Sequence, residues 1–152
     1  IRVDKRILKV SEIAAIWGMS DKNKLHTYLR RYTQNQKLFR LSRGIYSILP
    51  PQKLHPYEIG CALAGDLAYV SLETVLFTAG MINQAVYKIT LMGKKSKEFR
   101  SENHDYICHY APMHKLINRE GIIDQDGYAI ATPERASADL KDLKPHYFID
   151  TV

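Results

Sequence analysis

Apolar positions in the first third of the chain recur at helical spacing. Residues 10–17 (VSEIAAIW) set Ile13, Ile16 and Trp17 on one face, with Ser11 as the expected N-cap. Gly18-Met19-Ser20 breaks this helix, and Asp21 is placed to cap the next. Over residues 22–34, Leu25, Tyr28, Leu29 and Tyr32 follow the i, i+3, i+4, i+7 spacing of one buried helical stripe. The opposite face carries Asn23, Thr27, Arg30 and Gln34, flanked by His26 and Arg31. With Lys24, these form a set of side chains able to donate to phosphates or base edges. Residues 38–48 (LFRLSRGIYSI) then read as two short strands around a Ser-Arg-Gly turn, with Arg40 and Arg43 near its tip. Gly44 supplies the positive φ that such a turn often requires. Helix, tight turn, helix and β-hairpin in this order predict a winged helix-turn-helix. Residues 1–9 fit either the remnant of a further helix or a lead-in strand.

Pro50-Pro51 marks the expected boundary, because neither residue continues a helix or donates to a ladder. Residues 56–64 then look helical, with Pro56 at the first position and Ile59 and Leu63 on one side. Ser71 is the expected cap of a helix over 72–79, with Leu72, Val75, Leu76 and Ala79 as its apolar face and Gly80 as its stop. Past Met81 the pattern turns to strands at 86–92, 99–100 and 106–110. Ile122-Ile123 and Tyr128-Ala129-Ile130 flank Asp126-Gly127 in a hairpin signal. Thr132-Pro133 opens a last helix that runs to about Asp142. The predicted architecture is α+β, with a winged helix over residues 1–50 and a small mixed α/β domain over 51–152.

Charge sharpens this division. The chain carries 22 Lys and Arg against 16 Asp and Glu, a net +6, yet residues 1–50 alone hold eleven basic and three acidic side chains. A head at +8 on a body at −2 points to a polyanion-binding module. A composition 45% hydrophobic and 25% charged excludes intrinsic disorder, and no apolar run reaches the ~20 residues needed to span a bilayer. No segment resembling a signal peptide opens the chain, which starts at Ile1, and a cytoplasmic setting is expected. Cys61 and Cys108, 47 positions apart in apolar surroundings, are expected to be reduced, buried thiols.

Three strings stand in a familiar order: Arg40-Leu41-Ser42-Arg43-Gly44-Ile45-Tyr46, Ala68 to Leu76 (AYVSLETVL), and Ile130 to Ala136 (IATPERA) followed by Asp139. Together they resemble the AbiEi family of abortive-infection antitoxins and related transcriptional regulators, over roughly residues 10–145. The resemblance implies an N-terminal winged helix that binds inverted repeats in its own promoter, joined to an antitoxin-type domain. It also implies a partner toxin of nucleotidyltransferase-like type, encoded alongside and countered without a stable complex, as in type IV systems. Carried onto this sequence, it assigns Arg30, Arg31, Arg40 and Arg43 to DNA binding and any antitoxic activity to residues 51–152.

Other constellations invite chemistry. Arg135 and Asp139 are spaced to pair on one helical face, and Glu73 and Glu134 stand in first helical turns, where a carboxylate favours the dipole. His104, His109 and His114 bracket Cys108, but on a strand Cys108 and His109 point to opposite faces, so no metal site is expected. Lys94-Lys95-Ser96-Lys97 reads as a solvated loop, and neither a phosphate-binding glycine loop nor a nucleophile elbow is present. No cofactor, membrane contact or enzymatic activity is expected. Two alternatives stay open. An RNA-binding module would stack bases on exposed tyrosines, whereas Tyr28 and Tyr32 are predicted to be buried. A metal-dependent nuclease would need Glu73, Glu134 and Asp139 to converge.

Overall fold

Six α-helices and nine strands make up residues 5–145, the part of the chain described by the computed structural model, and the protein is mixed α+β. The chain divides into two compact units, Ile1–His55 and Pro56–Val152. Arg2 and Asp4 of the charge count lie outside the described residues. Among the described residues, no helix is long and apolar enough to cross a membrane.

In the first unit, strand β1 (Ile7–Lys9) leads directly into helix α1 (Val10–Trp17), followed by α2 (Lys22–Gln34), β2 (Phe39–Ser42) and β3 (Ile45–Ser47). Of the two readings of residues 1–9, the described part is a strand. The three strands form an antiparallel sheet in the order β1-β3-β2. Because β1 runs into α1 without a break, Ser11 is already helical and cannot cap it. The cap is supplied by Glu12, whose Oε1 accepts from the Lys9 backbone N–H at 3.1 Å. Gly18 ends α1 at φ +64°, a left-handed cap that glycine adopts without steric cost. Asp21 caps α2 as expected, its Oδ1 accepting from the N–H groups of Asn23 and Lys24. Leu8, Ile13, Leu25, Leu29 and Leu38 form the core, with Trp17, Tyr32 and Tyr46 packed against it. Ile16, expected in the core, is exposed, since a core this small closes over Ile13 and leaves the next turn's edge in solvent.

The second unit is built on a six-stranded mixed sheet in the order β6-β7-β5-β4-β9-β8. The strands are β4 (Tyr69–Val70), β5 (Lys88–Gly93), β6 (Lys97–Ser101), β7 (His104–Tyr110), β8 (Ile122–Asp124) and β9 (Ala129–Ala131). Four helices, α3 (Pro56–Ala64), α4 (Glu73–Thr78), α5 (Met113–Ile117) and α6 (Pro133–Leu143), complete the unit. The pleat assigns the faces. Leu91, paired with Cys108, and Tyr106 point to the α3 side, where Gly60 comes closest. Thr90, Met92 and His109 point to the other side, where α4 is fastened to β5 by reciprocal bonds. There Thr74 N–H donates to Thr90 Oγ1 (3.0 Å) and Thr90 N–H to Thr74 Oγ1 (2.8 Å).

Helix α4 begins later and for a different reason than the sequence suggests. Ser71 does not cap it, because the Ser71 hydroxyl is buried and donates to Asp139 Oδ2 at 2.7 Å. The N-cap position is Leu72, at φ +65° and ψ −139°, a backbone region that L-residues rarely occupy. Its fully buried side chain, the Ser71 hydroxyl bound to Asp139, and Thr90 Oγ1, which bridges the Ser71 carbonyl and the Thr74 N–H, hold it there. Ala79, expected on the apolar face, lies past the helix end and is exposed. The Asp126-Gly127 hairpin and the Thr132 cap form as the sequence predicts, with Gly127 at φ +90° and Thr132 Oγ1 accepting from Arg135 N–H.

Two stability outcomes follow from these contacts. A Cβ on Gly60 would sit 2.6 Å from the Tyr106 ring. Gly60→Ala is therefore expected to destabilise the protein by about 1–3 kcal/mol in denaturant unfolding, although alanine is the better helix former by ~1 kcal/mol. Unchanged or increased stability would contradict the close approach of α3 to β7. Burial opposes ionisation of Glu12, but the Lys9 N–H and the Lys5 ammonium outweigh it and hold the carboxyl below its ordinary range. A depressed pKa stabilises the fold above the unfolded-state value, and this contribution is lost as pH falls through the folded-state value. Glu12→Gln should flatten the acid limb of unit 1 unfolding, followed by Trp17 fluorescence; an identical acid limb would exclude the contribution.

Candidate nucleic-acid interface

Helix α2 carries the candidate interface, and burial of its inner side fixes which side chains face out. Leu25 and Leu29, 6% and 2% exposed, anchor the helix, each contributing about 1.5–3 kcal/mol through burial. With the helix so rotated, Asn23, Lys24, His26, Thr27, Arg30, Arg31 and Gln34 are all exposed. The helix contains no Asp or Glu, and Asp21 at its start is occupied by the cap. Glu12, the other carboxylate of residues 5–50, pairs with Lys5 at 3.1 Å. The outer face of α2 therefore carries cations and amides without an internal acidic partner.

The individual donors differ. Arg30, Gln34 and Asn23 present side chains with no hydrogen bond or ion pair among the described residues. Thr27 is a correction to the sequence reading, because its hydroxyl donates to the Asn23 carbonyl at 2.9 Å and so offers only an acceptor and a methyl outward. Tyr28 is another. It lies at the margin of the apolar stripe and is 40% exposed, its ring centroid 6.4 Å from that of Trp17 in an edge-on contact and the Arg31 guanidinium 5.5 Å from its centroid. This contact steadies Arg31 on the flank of the helix. Tyr32 is half-buried, against Trp17 at 5.0 Å.

Arg40 and Arg43 come from the hairpin. Arg43 and Gly44 form the two-residue turn between β2 and β3, Gly44 at φ +75°, so Arg43 is held at the tip. Arg40 lies opposite Tyr46, which in turn pairs with Leu8, so all three share the sheet face that carries the core. Arg40 is nevertheless exposed, because β2 is an edge strand. All nine sequence-predicted contact residues thus lie on the surface of one unit.

The carboxylates of the second unit are engaged differently from one another. Asp139 is 5% exposed and accepts at both oxygens: Oδ2 from the Tyr69 hydroxyl (2.9 Å) and the Ser71 hydroxyl (2.7 Å), and Oδ1 from Arg135 Nε (3.2 Å). Arg135 spends its remaining donors on Tyr69 Oη and on the carbonyls of Lys115, Asn118 and Glu120. Burial works against its charge, but Tyr69 and Asp139 outweigh that and raise its pKa. Burial, and then the Asp139 carboxylate, push the Tyr69 phenol well above its usual range. Glu73 pairs with Lys144 at 3.2 Å on the rim of a separate cleft, and Glu134 is exposed. The three carboxylates do not assemble into a metal-ligating group, and none of three or more His, Cys, Asp or Glu side chains is found among the described residues. Cys61 and Cys108 are both buried and unpaired with one another, and burial pushes both thiols up to about 11.

Comparison with protein-family models and with curated proteins gives no match to this chain.

Arg135 makes a local prediction. Arg135→Met would leave the buried Asp139 without its cationic partner, at a cost of about 3–5 kcal/mol. The expected readout is accelerated amide exchange in β4 and α6, which the network clamps together; exchange rates like those of the unaltered protein would show the network to be dispensable.

Proposed function

We propose that this protein is a sequence-specific DNA-binding transcriptional regulator of the AbiEi antitoxin type. Its first unit acts as a winged helix-turn-helix. Helix α2 enters the major groove through Asn23, Arg30 and Gln34, with Thr27 contributing its methyl and oxygen lone pairs. Lys24, His26, Arg31, Arg40 and Arg43 hold the flanking phosphates. The observation that carries this reading is the outer face of α2, cationic and amide-rich, free of carboxylates and turned outward by Leu25 and Leu29. The order β1-α1-α2-β2-β3 and the sheet order β1-β3-β2 support it, since a hairpin beside the second helix of a helix-turn-helix is what defines the wing.

The antitoxin part of the reading rests on the family resemblance. Its second and third strings meet in space, because Val70 pairs with Ile130 and Tyr69 and Ser71 bond to Asp139. On this reading the DNA partner is the protein's own promoter, with inverted repeats. The functional partner is a nucleotidyltransferase-like toxin, countered without stable contact, in the cytoplasm and without enzymatic activity of the antitoxin itself. One observation favours a second reading: Tyr28 is 40% exposed, and a base taking the place of Arg31 would stack on its ring, as RNA-binding modules require.

The test compares variants on promoter duplex, scrambled duplex and single-stranded RNA at several salt concentrations. Arg43→Ala should weaken binding to both duplexes alike and flatten the salt slope by about 0.9 log units per log unit of salt. Arg30→Ala should in addition narrow the gap between promoter and scrambled duplex, by about 1–3 kcal/mol for a lost base contact. Equal losses on both duplexes for Arg30→Ala would remove it from base readout. Preference for RNA, lost in Tyr28→Ala, would favour the second reading.

A further inference from the structure

The cleft rimmed by Glu73 belongs to the second unit alone and has no part in the DNA-binding reading. It has a volume of about 450 Å³, within the range of small-molecule sites. Ile82, Val86 and Ile107 give it apolar walls, and Glu73, Thr90, His109 and Lys144 supply its polar groups. Tyr87, also at the cleft, is 90% exposed, an unusual position for a large aromatic ring.

Glu73 is the informative residue. Its side chain is only 17% exposed. Oε1 accepts from Lys144, but Oε2 is buried without a hydrogen-bond partner, the one such side-chain atom among the described residues. Leaving a buried carboxylate oxygen unsatisfied is costly, so the site is poised for a donor. Lys144 already compensates the charge of Glu73. What is missing is a hydrogen bond rather than a cation, and a second cation would compete with Lys144. His109 points to the same face of the sheet as Thr90, and burial holds its imidazole below the ordinary histidine range, with Glu73 partly opposing the shift. Its imidazole lines the same cleft as Glu73 and brings ring nitrogens able to hydrogen-bond a ligand there.

We propose that this cleft binds an uncharged, planar nitrogen heterocycle of the nucleobase kind, its N–H or amino edge donating to the Glu73 carboxylate as the side chain turns Oε2 into the cleft. The ring lies between the apolar walls, Tyr87 stacks over it from the rim, and His109 completes its polar edge. A ligand held here would make the second unit an effector-sensing module, whatever the first unit binds.

The test uses the full chain titrated with guanosine, adenosine, cytidine and uridine, followed by calorimetry and two-dimensional NMR. At least one nucleoside is expected to bind with a Kd below ~1 mM and to shift the resonances of Tyr87 and His109. Glu73→Gln should weaken that binding about tenfold or more, and Tyr87→Ala about threefold. Tyr87 is almost fully exposed, so its replacement spares the fold and, with the shift map, decides the matter if Glu73→Gln does not fold. Absence of binding by all four nucleosides, shifts confined to residues away from the cleft, or unchanged affinity in the folded variants would overturn the proposal.

Discussion

Burial of Leu25 and Leu29 against Ile13 and Leu38 is the constraint on which the candidate interface depends. A helix of thirteen residues with no acidic side chain could rotate any of its faces to solvent, and the two leucines select one. Once they are buried, helical geometry alone sends Asn23, Arg30 and Gln34 to the far side. The caps serve the same end. Asp21 and Glu12, the two carboxylates of the described part of this unit, are engaged at helix starts or with Lys5, so neither neutralises the outer face. Packing, capping and surface electrostatics are consequences of one arrangement.

The second unit depends in the same way on Asp139. This buried carboxylate takes bonds from β4 through Tyr69, from the following turn through Ser71 and from its own helix through Arg135. Arg135 then gathers three carbonyls from residues 115–120. A buried charge is tolerable only when so fully satisfied, and its engagement explains why the Ser-Leu-Glu segment takes its strained course into α4. Arg135 and Asp139, whose spacing in the sequence invites chemistry, here fasten a sheet to its helix.

Much of this was legible in local spacing. The i, i+3, i+4, i+7 stripe located α2, Asp21 its start, Asp126-Gly127 a hairpin and Thr132-Pro133 the last helix. The errors have common physical causes. Tyr28 lies on the apolar stripe, but the core is too small to cover the stripe's margin. Ser71 carries the local signature of a cap, yet its hydroxyl is claimed by Asp139, 68 positions away, and no local rule can anticipate a partner so distant. The five-residue helix α5 is too short for periodicity to register. The sequence marks Glu73 only by its helical position, whereas its pairing with Lys144, 71 residues on, and the cleft it shares with His109 arise only from the fold.

The central claim, that the outward face of α2 reads DNA sequence, is tested most directly by fluorescence anisotropy of the unaltered protein. Duplex from upstream of its own gene is compared with scrambled duplex at two salt concentrations. At least about tenfold tighter binding to the upstream duplex, with both weakened by salt, is the predicted result. Equal and weak binding to the two duplexes would contradict it.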